Sequence, residues 1–412
     1  MAKVLIITPS FGPQAFVGGI RSTLFAKYLT LLGWDVWVLT RIIPTESEVI
    51  NSGFLVNLPD ALEKKIIRIQ SPNGQEYLAN RNFKTKIRDL FSPEYSSPPG
   101  FLDKAIPVGL ELIQKEKFDI ILSSAPDQWG ITLGEKLANS LNCRFVVDFR
   151  DIFEQEIFEK RSFQENIHRR RMLRKRNMTA NKADLITTVS RFHQNVLQKK
   201  FGIKTAVIYN GYDHEVFIPM NLPPKDSCFR ISYLGRILSE WYHNPQVLFQ
   251  ALNEIGKESK IGPDEFQINF YGADKNKLDH YLTEQNSKYV SFFPRVTSLE
   301  VPRIMNDSQV LLLITNKGRY GVMTTKFFEY VGVKKPVLCI PGDGSELQEM
   351  IESQNLGITL DSVHALKNYI YESVQAFQAG KWPVHISTQP EFFTRQNQTQ
   401  ILADLLQDLV KN

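Results

Sequence analysis

Cysteine is scarce: the 412 residues hold three, Cys143, Cys228 and Cys339, far apart and with no histidine at metal-ligand spacing. That excludes a disulfide scaffold, leaves a zinc site without ligands, and fits a reducing cytosol. Long apolar runs are missing as well. Val4-Leu5-Ile6-Ile7 behind Met1-Ala2-Lys3 is too short for a signal peptide, and no stretch approaches the length of a membrane span. The chain is expected to be cytoplasmic, at most peripheral on a membrane. No DxD occurs, so a metal held by two close aspartates is unsupported, and a diphosphate would fall to Arg, Lys and helix termini. The seven histidines form no Ser/His/Asp or Cys/His arrangement. A GxGxxG fingerprint is absent too, which argues against a dinucleotide enzyme.

What is present is an ordinary folded composition, 42% hydrophobic and 23% charged, at a length of two or three domains of about 150 residues each. The net charge of +5 is too slight for a nucleic-acid binder, yet it is unevenly spread. Residues 1–209 carry 30 Lys and Arg against 21 Asp and Glu; residues 210–412 carry 19 against 23. Short β-branched runs alternate with amphipathic segments throughout, which predicts parallel sheets covered by helices. Strands are expected at 4–8, 36–40, 66–69, 120–123, 145–148, 185–189 and 206–209, and again at 229–234, 266–271, 290–293, 310–314, 337–340 and 357–360. Helices are expected at 20–32, 101–116, 129–141, 162–180 and 190–201. The fold class is therefore α/β, two doubly wound Rossmann-like domains facing across a cleft. The first spans 1–209, a hinge with turn formers and prolines spans 210–228, the second spans 229–390, and a terminal helix occupies 391–412.

In such sheets ligands bind beyond the carboxyl ends of the strands, so the loops there carry the candidate residues. After the first strand, Gly18-Gly19 opens a helix, where free N–H groups and the dipole favour an anion. After the fifth strand, Asp148-Phe149-Arg150-Asp151 puts three charges in four positions, suited to substrate contact or, for Asp148 and Arg150, to a structural ion pair. In the second half, Gly235-Arg236 pairs backbone access with a cationic fork. Thr324, Thr325 and Lys326 lead a helix with hydroxyls, amides and charge, and Glu329, one turn on, is placed to accept two ribose hydroxyls. Residues 168–176 hold six Lys or Arg and no acid, either a solvated helix face or a surface for anionic lipid or an anionic acceptor.

Taken in order, several segments resemble family 4 glycosyltransferases of the GT-B fold, especially bacterial members that build surface polysaccharides. They are Gly18-Gly19, Asp148–Asp151, Ala183–Ser190, Asn210-Gly211-Tyr212-Asp213, Leu234-Gly235-Arg236 and Lys326–Tyr330 followed by Lys334-Lys335-Pro336-Val337. The resemblance implies a nucleotide-sugar donor, a UDP-sugar first, with Glu329 on the ribose and Arg236 and Lys326 near the diphosphate. It implies a glycan or lipid-linked acceptor on the first domain, Gly18 and Gly19 at the cleft, retention of anomeric configuration, and a terminal helix that crosses back. Asp148, Arg150 and Asp151 would orient acceptor and donor sugar, with no metal or other cofactor. Three departures stand out: Gly321 where many relatives carry an acid, Trp241 where many carry a lysine, and Arg150 where many carry a histidine. The alternatives are a GT-B epimerase and a non-catalytic nucleotide-sugar-binding protein.

Overall fold

The computed structural model describes residues 1–15, 18–42, 54–95, 98–125, 127–156, 162–222, 226–239, 241–383, 386 and 391–411. The prolines at 223 and 224 of the expected hinge lie outside the described residues. The chain divides into two compact units, Met1–Tyr209 with Arg395–Asn412, and Asn210–Thr394.

The first unit is built on β1 (Lys3–Thr8), β2 (Gln14–Ala15), β3 (Asp35–Arg41), β4 (Phe54–Leu55), β5 (Ile66–Ile69), β6 (Ile120–Ala125), β7 (Arg144–Phe149), β8 (Leu185–Thr188) and β9 (Thr205–Val207). Seven form a parallel sheet in the order β5-β3-β1-β6-β7-β8-β9, and β2 pairs with β4 in a small antiparallel ribbon. Alternation along the strands sends side chains to opposite faces. Leu5, Ile7, Ile121 and Val147 join one core with Phe101, Trp129 and Leu133; Val4, Ile6, Val36, Val38 and Val146 join another. The helices are α1 (Ile20–Leu31), α2 (Asp60–Glu63), α3 (Gly74–Ala79), α4 (Phe83–Phe91), α5 (Phe101–Lys115), α6 (Gln128–Leu141), α7 (Phe163–Ala180) and α8 (Arg191–Phe201). Ser162 starts α7 with a capping box through Glu165, and Ser190 accepts the His193 N–H at 3.2 Å to start α8.

The second unit carries β10 (Phe229–Leu234), β11 (Phe266–Tyr271), β12 (Val290–Phe293), β13 (Val310–Ile314), β14 (Val337–Ile340) and β15 (Gly357–Thr359), all parallel, in the order β12-β11-β10-β13-β14-β15. With them come α9 (Gln246–Glu258), α10 (Glu284–Ser287), α11 (Val301–Asp307), α12 (Thr325–Gly332), α13 (Glu346–Ser353) and α14 (Val363–Gln378). Residues 210–217 of the expected hinge pack within this unit. Tyr212 lies so close against Gly332 that a Cβ there would stand 2.5 Å from its ring, and the Asn210 amide donates to the Met323 carbonyl at 3.0 Å. Glu391–Phe393, expected as the start of the last helix, is a separate turn of the same unit, because Phe393 packs on Phe327 and Phe328. The last helix, α15 (Arg395–Lys411), buries Leu402, Ala403 and Leu406 in the core that α1 covers on the first sheet.

Each sheet reverses strand order once, between β1 and β6 in the first unit and between β10 and β13 in the second. Neighbouring crossovers leave in opposite directions there and open a crevice at the strands' carboxyl ends.

Candidate functional site

In the first unit, the loop after β1 runs into α1 at Gly19, the N-cap, whose position makes no side-chain cap bond. A Cβ on Gly19 would stand 3.1 Å from the Ser10 carbonyl oxygen, a tight contact that a larger residue could take only by shifting the loop. The Thr23 hydroxyl donates to the Gly19 carbonyl at 2.9 Å and accepts the Gly12 N–H at 2.9 Å, stitching loop to helix. Arg150, just past β7, reaches across the switch point. Its Nε donates to the Ala125 carbonyl at 3.1 Å and its Nη1 to the Gly18 carbonyl. Gly18 and Arg150 are thus brought together by the fold.

Asp148 does not pair with Arg150. It is buried, and its carboxylate accepts two bonds from Arg21, Nε at 2.9 Å and Nη2 at 2.8 Å, and one from the Thr187 hydroxyl at 2.7 Å. Arg21 spends Nη1 on the carbonyls of Ile208 and Tyr209. This bidentate, fully hydrogen-bonded pair ties α1, β7, β8 and the exit of β9 together, the geometry that makes a buried ion pair tolerable. The sequence reading missed Arg21. Its signal was a cation in the first turn of a helix, where the dipole opposes it unless a carboxylate answers. Asp151 is exposed. Asp127, the N-cap of α6, is a further carboxylate at the switch point. Loss of water raises its pKa, with Arg150 and then Arg41 opposing. His193, buried on α8, is held down at about 4 by burial, against the pull of Asp151 and Glu154.

In the second unit, β10 ends at Leu234 and Gly235 follows with φ +123°, a conformation that favours glycine. A Cβ there would come within 2.6 Å of Lys326 Cε and Nζ, so Lys326 passes directly over this backbone. Lys326, the second residue of α12, donates to the Tyr233 hydroxyl at 2.9 Å and stands 4.2 Å from the centre of its ring. The hydroxyl in turn donates to the Arg236 carbonyl at 2.9 Å. Burial lowers the Lys326 ammonium to about 8, with Glu329 opposing, and pushes the Tyr233 phenol upward. The structure therefore gathers Gly235 and Lys326 with Tyr233, which the sequence reading overlooked. Arg236 is exposed, and its guanidinium has no partner among the described residues. Thr324 is the N-cap of α12 without capping it through its side chain, Thr325 is the first helical residue, and no acid occupies the first turn. Glu329 is half-buried one turn further along. His243 donates nothing to the loop but accepts the Leu238 N–H at Nδ1 (3.2 Å). Burial holds it at about 4, aided by Lys326, Arg319 and Lys277.

The cationic segment 168–176 is less exposed than its composition suggests. Arg176 is buried against Glu154, Lys175 pairs with Glu94 at 3.2 Å and Arg169 donates to the Phe153 carbonyl, leaving Arg170, Arg171 and Arg174 facing solvent. Among the described residues no helix is long and apolar enough to cross a membrane.

Two doubly wound units, each with a crevice at its switch point, define the GT-B class, and comparisons with known proteins agree. The chain is similar along its whole length to sucrose-phosphate synthase from Thermosynechococcus elongatus (15% identity, all of both chains covered, TM-score 0.67). HepE from Anabaena, solved in complex with UDP-glucose, is similar at 16% identity over 100% of this chain and 98% of that one, with a TM-score of 0.55. A UDP-N-acetylglucosamine 2-epimerase is similar at 12% identity over 100% and 97%, with a TM-score of 0.54. Among curated proteins no sequence relative matches. Residues 18–216 match the family model for Glycosyltransferase Family 4.

Proposed function

We propose that the protein is a retaining hexosyltransferase that moves a sugar from a nucleotide-sugar, a UDP-sugar first, to a glycan or lipid-linked glycan in polysaccharide biosynthesis. The observation that carries this reading is the group at the second unit's switch point. There Gly235 clears a path for Lys326, Arg236 stands open, and the uncapped start of α12 leads to Glu329. Negative charge grows on the diphosphate as the glycosidic bond breaks, and Arg236, Lys326 and the helix N-terminus are arranged to take it without metal. Glu329 accepts the ribose hydroxyls, and Thr324 and Thr325 offer amides and hydroxyls to phosphate. In the first unit Gly18, Gly19, Arg150 and Asp151 meet the acceptor and donor sugar. Asp148, fully engaged by Arg21 and Thr187, acts as a positioning residue.

Glu329→Gln tests the reading. UDP affinity is expected to fall at least tenfold and transfer to fall with it; unchanged affinity and turnover remove the ribose assignment. Product configuration by NMR decides retention, and an inverted product rejects it. The second reading, an epimerase, is favoured only by the similarity to the 2-epimerase structure. It predicts conversion of the donor with no acceptor present. A non-catalytic binding protein would bind the donor and leave it intact.

The reading extends to the anionic cytoplasmic face of a membrane, where a lipid-linked acceptor resides. Arg170, Arg171 and Arg174 supply charge for it. Helix α4 supplies more: Phe83, Ile87, Leu90 and Phe91 are exposed along one side, beside exposed Lys84 and Lys86. Failure of the full chain to sediment with anionic vesicles would end this part of the proposal.

A further inference from the structure

The loop between β13 and α12 contains a buried charge that the assignments above leave unused. Arg319 is 8% exposed. Its guanidinium stacks on Tyr242, 3.8 Å from the ring centre, and Nη1 is buried without a hydrogen-bond partner. No ion pair to Arg319 exists among the described residues. The turn that directs it is set by backbone. Gly318 and Gly321 take φ +79° and +77°, and the Arg319 N–H donates to the Asn316 carbonyl at 3.3 Å. Tyr320, the next residue, is 46% exposed, so the loop turns its aromatic outward and its cation inward.

Arg319 is not alone. Lys326 is held by the Tyr233 hydroxyl, and Lys277 by the carbonyls of Ile237 and Leu238 at 3.0 and 2.8 Å. The fields of all three converge on the neutral His243 ring. None of the three is hydrogen-bonded to a carboxylate among the described residues. A desolvated guanidinium without an anion is unfavourable, and a fold that needed only stability would place an apolar side chain there. A planar fork held flat on an aromatic ring is suited to two oxygens of one oxyanion.

We propose that Arg319 is an oxyanion-binding residue of the donor site, taking phosphate oxygens or a sugar carboxylate of the nucleotide-sugar. The inference rests on the donor reading above and adds a residue and a charge requirement to it. A carboxylate partner would make the preferred donor a nucleotide hexuronate; a phosphate partner would leave sugar choice to other residues.

Arg319→Met keeps a stem over Tyr242 and removes the charge. Calorimetric titration of the full-length wild type and variant with UDP, UDP-glucose and UDP-glucuronate reads the result. The variant is expected to melt at the same or a higher temperature and to bind at least tenfold more weakly. Equal weakening for all three ligands assigns the phosphates; weakening confined to UDP-glucuronate assigns the sugar carboxylate. Unchanged affinity for all three, in a protein where Glu329→Gln still weakens UDP, overturns the proposal and leaves the donor reading standing. Binding of none of the three by the wild type overturns both. Should the methionine variant fail to fold, Arg319→Lys is read in its place: a tenfold loss supports the fork, and wild-type affinity overturns it.

Discussion

Asp148 and Lys326 show how one kind of residue, a charge at a strand end or helix start, takes opposite tasks. Asp148 has every strong bond satisfied from inside, by Arg21 and Thr187. Lys326 has only a phenol oxygen, and burial has already lowered its proton affinity toward neutrality. A satisfied charge holds structure together; one held only by a phenol oxygen is a candidate for ligand contact. Removing one member of the first pair strands the other in a dry interior. Asp148→Leu is therefore expected to destabilise the first unit by about 3–5 kcal/mol, whereas Arg21→Met with Asp148→Leu costs clearly less. Urea unfolding of the two variants checks this, and equal losses would show that packing, not charge, dominates at the site.

Elements place these residues, and the helices differ in how far their pattern foretold that placement. The strands of both large sheets, and helices α1, α5, α6, α7 and α8 of the first unit, were legible because β-branched runs and helical spacing both report burial, which is local in sequence. Helix α7 was legible as a helix, but its cationic face was not. Arg169, Lys175 and Arg176 are answered by Phe153, Glu94 and Glu154, partners that only folding brings near. Helix α4 went unread although Phe83, Ile87, Leu90 and Phe91 have helical spacing, because nine residues fall short of the span over which that spacing is counted. Yet it exposes the larger apolar face, with Phe83 at 77% and Phe91 at 76% exposure. Phe83→Ser with Phe91→Ser should therefore cut association with anionic vesicles more than Arg170, Arg171 and Arg174→Ser. The basic triple should mainly steepen the loss with salt. Co-sedimentation across a salt series ranks the two surfaces, and the reverse order would return the contact to α7.

At the scale of the whole molecule, buried titrating groups set the response to acid. His193 and His243 lie near 4 in the folded protein, against 6.5 when free, and Glu154 lies near 2, against 4.5. In each case the unfolded chain takes up its proton first. Stability is thus fully present above about pH 6.5, begins to fall below it through the histidines, and falls further below 4.5 through Glu154. For the deeply buried His193 the loss to pH 4 is of the order of 3 kcal/mol. Denaturation midpoints at pH 7, 5.5 and 4.5 should decline in that order, and His193→Gln should flatten the first step. A flat profile from 7 to 4.5 would place both rings in contact with water. The uneven net charge also reads differently now. The acidic second half nonetheless gathers Lys277, Arg319 and Lys326 around one histidine, so its net charge argues nothing about the sign of its ligand.

Sequence alone determined the class of fold, the position of both sets of strand-end loops and the family likeness. Each depends on local periodicity or on short motifs whose order survives in one dimension. Tertiary structure alone decided which charges are spent and which are free. Asp148 belongs to Arg21, 127 residues away, Lys326 lies over Gly235, and Arg319 turns inward onto Tyr242. The reason is electrostatic: whether a buried charge is structural or functional depends on its desolvation and on the nearest opposite charge, and both are properties of three-dimensional packing.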